Sequence, residues 1–395
     1  MAKYNYDKKY LKGLGVGPFL KQVKVRNQHI EAASDELKPF DYVSNKLVEQ
    51  LHPEYQLTKV SKVIEREGAK SFVLTSLENK PLAYFRAGQY VVLDIKVGDI
   101  IVSRPFSISS SPKETLGNNS NYMITIKDNK DGFSSKEVNK NWHVGQEVKI
   151  SGPQGEFYYQ GLRDAKHVVG VAGGSGITPF IAMAEAIADG TEDFNLTIIY
   201  GAKNRDALLF KEELDKLAKQ SKKIKVVYVL EDKDGFITSQ IIKKYVEGDF
   251  SLFVCGPRGL YYAMDKVASE LKLTRRRFRK EVFGEYGDPT NDKDYPKEFK
   301  DKTFKLTVIM RDKRYELTCH SNETLLNAME KGGVHAPSRC RSGECGWCHS
   351  LLVSGKIYTP KEVDGRRIAD STFNWIHPCA SYPLSDIVLE VPYNK

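Results

Sequence analysis

The rhythm of apolar and polar positions changes twice along this chain and marks out three modules behind an N-terminal extension. From 55 to 159, apolar residues alternate or cluster in short runs, TKVSKVIERE, SFVLTSL, GQYVVLDI, YMITIK and QEVKISGP, with Gly, Asn and Pro between them. A period of two broken by turn formers predicts short strands forming a small antiparallel β-barrel. From 160 to 285, wholly apolar runs (HVVGVA, NLTIIYGA, KVVYVL, LFVCGP) alternate with helical patterns (ITPFIAMAEAIADG, DALLFKEELDKLAKQ, ITSQIIKKYV). Strand–helix alternation predicts right-handed crossovers and an α/β doubly wound parallel sheet. From 303 to 395, FKLTVIM and RYELTC predict a hairpin, and ETLLNAMEKGG a helix capped by Asn322 and stopped by glycine.

The connecting segments read differently. Residues 286–302 fall in GEYGDPTNDKDYPKEFKDKT, charged and poor in apolar residues, and are expected to be an exposed linker. In the extension, 1–54, Phe40, Val43, Leu47 and Leu51 recur at helical spacing after Pro39, predicting an amphipathic helix that docks on its own protein.

Composition narrows the class. Of 395 residues, 41% are hydrophobic and 28% charged, enough apolar material for a core in each module. No apolar run nears the ~20 residues of a membrane span, and only LGVGPFL follows the basic N-terminal residues, too short for a secretory core. A cytoplasmic protein, monomeric or weakly oligomeric, is expected. The formal net charge is +9, and TRRRFRKE (274–281) is its sharpest basic run. With no aromatic platform beside it, the run reads as a solvated strand end with one apolar residue turned inward; no nucleic-acid partner is expected.

The chemistry begins at CRSGECGWCHS. Cys340, Cys345 and Cys348, followed by Cys379, have the spacing C-x4-C-x2-C…C, that of a plant-type [2Fe–2S] cluster. A structural zinc site remains the alternative on ligand type alone, but zinc knuckles pair two short hooks. Gly343 and Gly346 leave amides free to approach the sulfides. Cys319 reads as a buried core thiol. The whole module, with LLVSGKI and HPCASYPLSDIVLEV, resembles a plant-type ferredoxin, which implies an α+β β-grasp fold with those four cysteines as ligands. YTPKEVDGRRIADSTFNW, between the third and fourth ligands, departs from that pattern.

Upstream, SRPFSISSS holds an R-x-[YF]-S arrangement. Arg104 can pair a flavin phosphate, Phe106 can pack on the isoalloxazine, and Ser107 can hydrogen-bond near its reactive nitrogen. AGQYVVL, TIK (125–127), DGFSSKEV and SGPQGEFY stand around it. In order and spacing these segments resemble the flavin domain of the ferredoxin–NADP reductase superfamily. The resemblance implies flavin contacts at Arg104, Pro105, Phe106, Ser107, Thr125, Ile126 and Lys127, and a pyrophosphate-receiving helix start at Gly132, Phe133, Ser134 and Ser135. VVGVAGGSGITPF, a glycine loop between strand and helix, suits close approach to a dinucleotide. It resembles the superfamily's nicotinamide segment, implying cofactor contacts at Gly173, Gly174, Gly176, Thr178 and Pro179, then at Arg205, and at Cys255, Gly256 and Pro257. Phe283 is implied beside the flavin ring. Ser107, Cys255 and Glu281 are the candidate catalytic residues.

Together the three motif sets resemble NADH-dependent iron–sulfur flavoproteins, including reductase components of multicomponent oxygenases. The resemblance implies that electrons pass from a nicotinamide dinucleotide through FAD to the [2Fe–2S] cluster, then singly to an electron-acceptor protein. A fixed subunit of a larger redox complex, running from ferredoxin to NAD, is the alternative. FAD is expected over FMN because the glycine–serine segment can hold a pyrophosphate. NADH is expected over NADPH because Glu231 and Asp232 would repel a 2′-phosphate, although Lys203, Arg205 and Lys233 pull the other way.

Overall fold

The computed structural model describes residues 17–33, 42–78, 80–117, 119–129 and 132–392. The chain divides into two units, residues 1–49 and 50–395. In the first, helix α1 (Gly17–Glu31) was not anticipated. Helix α2 (Val43–Leu51), whose last two residues belong to the second unit, carries the expected stripe; none of its residues is buried. Pro39 and Phe40 lie outside the described residues.

In the second unit, strands β1 (Tyr55–Arg66), β2 (Ala69–Ser76), β3 (Tyr90–Val97), β4 (Ile100–Ser107), β5 (Asn121–Lys127) and β6 (Glu147–Ser151) form one antiparallel sheet in the order β4-β3-β6-β1-β2-β5. A bridge between Ile108 and Ile124 joins its two edges, curling the sheet into a barrel. Alternation explains the closure: inward Val60, Phe72, Leu74, Leu93, Ile95 and Ile124 make its core. Helix α3 (Phe133–Asn141) follows β5 and starts at Gly132.

The next domain has five parallel strands, β7 (His167–Gly173), β8 (Asn195–Ala202), β9 (Ile224–Leu230), β10 (Ser251–Cys255) and β11 (Phe278–Glu281), ordered β11-β10-β7-β8-β9. Helices α4 (Thr178–Ala188), α5 (Lys211–Gln220), α6 (Ser239–Tyr245) and α7 (Arg258–Glu270) connect them. The strand order reverses between β7 and β10, so a crevice opens beyond their carboxyl ends, where doubly wound sheets bind ligands. The basic run before and within β11 is used internally. Arg279 donates to Asp164 at 2.8 and 3.1 Å, Arg277 pairs with Asp249 at 2.7 Å and Lys280 with Asp265 at 2.9 Å. Phe278 packs inward, as expected.

The C-terminal domain is a mixed sheet of β12 (Thr303–Met310), β13 (Lys313–His320), β14 (Ser350–Ser354), β16 (Trp375–Ile376) and β18 (Ile387–Glu390), with a small ribbon of β15 (Ile357–Tyr358) and β17 (Tyr382–Pro383). Helix α8 (Leu325–Lys331) buries Leu325, Leu326 and Met329 against the sheet, and Cys319 is core, as expected. Its N-cap is Thr324, whose hydroxyl accepts from the Asn327 amide at 3.2 Å, and not Asn322, which bonds His320. Residues 286–302 also depart from expectation. Pro289, Thr290 and Tyr295 are buried, Tyr295 packs edge-on against Tyr358, and Asp292 bonds both Tyr286 and Tyr358. Aromatic residues among the charges anchor the segment to the last domain.

Candidate electron-transfer site

The loops after β7 and β10 meet in the crevice. A Cβ on Gly176 would lie 2.1 Å from the carbonyl oxygen of Cys255, so only glycine allows this approach. A cleft of about 790 Å³ results. It brings together Pro105, Phe106, Ser107, Thr125, Ile126, Lys127 and Ser135 from the barrel side with Gly173, Gly174, Gly176, Thr178, Cys255, Gly256, Pro257 and Phe283. A second cleft, about 820 Å³, shares Pro105, Phe106 and Phe283 with it and adds Arg104, Gly132 and Phe133. Four expected residues line neither: Ser134 is buried within α3, Pro179 within α4, Arg205 is exposed on a turn, and Glu281 lies behind the crevice on β11.

A third cleft, about 640 Å³, continues from Lys127, Gly173, Gly174 and Pro257 toward Lys203, Glu231 and Phe236. Asp232, Lys233 and Arg205 do not line it. Of the two acids weighed above, Glu231 is the one at the cleft.

Cys255, at the crevice, and Glu281, behind it, are paired neighbours on β10 and β11. Burial pushes the Cys255 thiol far above its ordinary range, so it is neutral. Burial likewise pushes Glu281 well up, and its Oε2 is buried with no partner. Tyr261, which the motifs did not single out, ties these ends together. Its hydroxyl accepts from the Gly256 amide at 3.1 Å and donates to the Glu281 carbonyl at 2.5 Å.

The cysteine loop lies on the other side of Phe283. Cys340, Cys348 and Cys379 are buried and Cys345 is exposed. The thiols form two pairs: Cys348 Sγ lies 3.4 Å from Cys379 Sγ, and the Cys345 amide donates to Cys340 Sγ at 3.4 Å. The Ser342 amide also donates to Cys340 Sγ at 3.4 Å. Amides aimed at sulfur favour thiolate, and two thiol pairs suit two irons better than one shared ion. The donor set therefore fits a binuclear cluster. The divergent segment after β15 folds over this loop, its Trp375 stacking on His349 and its Asp370 bonding that histidine at 3.0 Å; just beyond it, His377 bonds the Gly343 carbonyl at 2.7 Å.

Loop and flavin-side cleft are directly joined. The Gly284 amide, next to Phe283, donates to the Cys340 carbonyl at 3.1 Å, and Tyr90 packs edge-on against Phe283 at 4.9 Å. Arg104 is not left wholly to a phosphate: its Nη1 donates to both oxygens of Glu330 on α8, at 3.0 and 3.2 Å. Burial, then the charge of Arg341, lowers its pKa.

Comparison with known proteins agrees with this geometry. Models of an oxidoreductase FAD-binding domain, an oxidoreductase NAD-binding domain and a 2Fe-2S iron-sulfur cluster binding domain match residues 56–159, 171–266 and 308–384. NADH-cytochrome b5 reductase 1 of Candida glabrata is 31% identical over 48% of this chain and 69% of its own length. The chain belongs to the ferredoxin–NADP reductase superfamily, in its iron–sulfur flavoprotein branch with a C-terminal plant-type ferredoxin domain. It is an NAD(P)H-dependent oxidoreductase whose domains take FAD, a nicotinamide dinucleotide and a [2Fe–2S] cluster. It passes electrons through FAD and the cluster to an acceptor partner. The 3-ketosteroid-9-alpha-monooxygenase ferredoxin reductase component of Mycolicibacterium smegmatis is 28% identical over 85% of this chain and 96% of its own. The glycine betaine monooxygenase reductase subunit of Chromohalobacter salexigens is 25% identical over 78% and 88%. Phthalate dioxygenase reductase shares the fold, with a TM-score of 0.65 at 23% identity, covering 85% of this chain and 98% of that one. Among the described residues, no helix is long and apolar enough to cross a membrane.

Proposed function

We propose that the chain is the NADH-specific reductase component of an oxygenase system, delivering single electrons from its cluster to a separate oxygenase. The observation that carries this reading is the unbroken run of sites, from the Glu231 cleft through the crevice at Cys255 to the Gly284–Cys340 hydrogen bond. The likeness to two monooxygenase reductase components, over 78% and 85% of this chain, supports the class of acceptor.

Each segment has a physical task in this reading. Glu231, exposed at its cleft, favours a ribose carrying hydroxyls over one carrying a phosphate. The glycine loop at 173–176 lets the backbone approach the dinucleotide, and Lys127, lining two clefts, offers a charge to phosphates. Phe106 and Phe283 offer apolar faces to the isoalloxazine ring, and Ser107 a hydroxyl near it. Neutral Cys255 presents an uncharged wall to the nicotinamide, which helps exclude water. A bound flavin supplies the conversion of a hydride pair to single electrons. Cys340, Cys345, Cys348 and Cys379 are the cluster ligands.

Anaerobic purification followed by metal analysis, flavin release and turnover with each nucleotide tests the proposal. FAD, two irons per chain and a clear preference for NADH are expected. Zinc in place of iron, or a preference for NADPH, would overturn it. Replacing Glu231 by Gln should narrow the NADH/NADPH ratio by about tenfold, the effect of ~1.4 kcal/mol, with the ratio of kcat/KM values as readout.

A further inference from the structure

Two arginines and two glutamates meet in the seam between the flavin barrel and the ferredoxin domain. Glu330, on α8, is 2% exposed, and its carboxylate is shared. It accepts from Arg104 of β4 at 3.0 and 3.2 Å, from the Ser103 amide at 3.3 Å, and from Arg341 at 2.7 and 3.0 Å. Arg341, also 2% exposed, is the residue after Cys340 and bonds Glu285 and Asn327 as well. Its backbone φ is +59°. The barrel and the cysteine loop therefore converge on one carboxylate, and the chain leaving the nucleotide domain joins them through Arg341.

A buried ion network of this kind contributes little net stability, because desolvation offsets attraction. It penalises mispairing, however, since removing one member leaves an unbalanced buried charge. The network's charges cancel, and it borders a backbone bond that joins the flavin side to a cluster ligand, Gly284 N–H to Cys340 C=O. We propose that Glu330 is a positioning residue for the flavin-to-cluster step: as the common counter-ion of Arg104 and Arg341, it holds the cysteine loop in register against residues 283–284. In that step the reduced flavin loses one electron and the oxidised cluster gains it; the nicotinamide supplies the pair. The inference rests on the functional reading above. Arg104 thereby joins flavin binding to domain docking: among the described residues, its guanidinium bonds the Ser103 carbonyl and Glu330 through Nη1, while the residue lines the second flavin-side cleft.

The test is Glu330→Gln in the full-length holoprotein, read by hydrogen–deuterium exchange and by stopped-flow absorbance. Exchange at the Gly284 amide and across 338–345 should accelerate about tenfold, the population change for ~1.4 kcal/mol, with the rest of 303–392 unaffected. NADH should bleach the flavin at the parental rate while reduction of the cluster slows. Glu330→Asp, which keeps the charge, should recover part of both effects. Unchanged exchange and unchanged cluster reduction would overturn the proposal. Exchange rising throughout 303–392 would overturn it too, because Glu330 would then serve folding of the domain. A parental protein lacking flavin or iron would sink the functional reading alone, since the exchange measurement needs no turnover.

Discussion

A methyl group at position 343 would sit 2.0 Å from the Val363 carbonyl oxygen, and the backbone there has a φ of +83°. Both the segment folded over the cysteine loop and the loop's own turn therefore require glycine. Gly343→Ala should lose most of the cluster iron, measured by metal analysis and visible absorption, while the flavin stays bound. The cysteine spacing is legible in sequence because a short loop must carry its thiols at fixed intervals. Counter-ions are not: Arg104 and Glu330 stand 226 residues apart, and nothing local to either announces the other. Tyr261 and Tyr90 escape for the same reason. Their roles arise where strand ends from distant parts of the chain meet, although Tyr90 stands inside the motif AGQYVVL.

Helix α4 shows what an element conceals. It is apolar nearly all round and buried, and burial raises the carboxyl of its Glu185 to about 7, with Glu114 and Asp189 adding repulsion. A carboxyl raised on folding stabilises while it is protonated. The contribution is whole below the ordinary value of 4.5 and is lost as pH climbs through about 7. Glu185→Gln should therefore raise the thermal midpoint at pH 8, by the equivalent of at most about 3 kcal/mol, and change little at pH 4. Calorimetry at the two pH values decides it. The strands around α4 were readable because parallel strands buried on both faces leave continuous apolar runs. The α8 cap was misassigned because two side chains near its start can each accept a hydrogen bond. Only the local path of the backbone gives that place to Thr324.

Across the whole second unit, a second clasp reinforces the first. His335 Nε2 lies 3.1 Å from Ser103 Oγ and 3.7 Å from Asp94 on the barrel. The bond to Asp94 raises the imidazole pKa against the opposing pull of burial; the charge of Glu330 raises it further and Lys149 lowers it. A histidine raised by its partner holds most strongly when charged, so this clasp is present at low pH and fades as pH rises through the raised value. Small-angle scattering from pH 6 to 9 should show the domains loosening slightly toward the alkaline end, and His335→Gln should remove that dependence. Three domains in this order were legible from the sequence. Their seam was not, because it is made of charged residues that read in isolation as ordinary surface.

The anchoring of residues 286–302 changes how the ferredoxin domain can move. A free tether of that length would let the cluster swing between its donor and a distant client. Here Tyr295 is pinned beside Tyr358, Asp292 bridges two tyrosines, and the Gly284 amide and Gly287 carbonyl are themselves bonded to Cys340 and Tyr382, so little slack is left. The cysteine loop is thereby held like a fixed port, which a client protein reaches by docking on it where it stands.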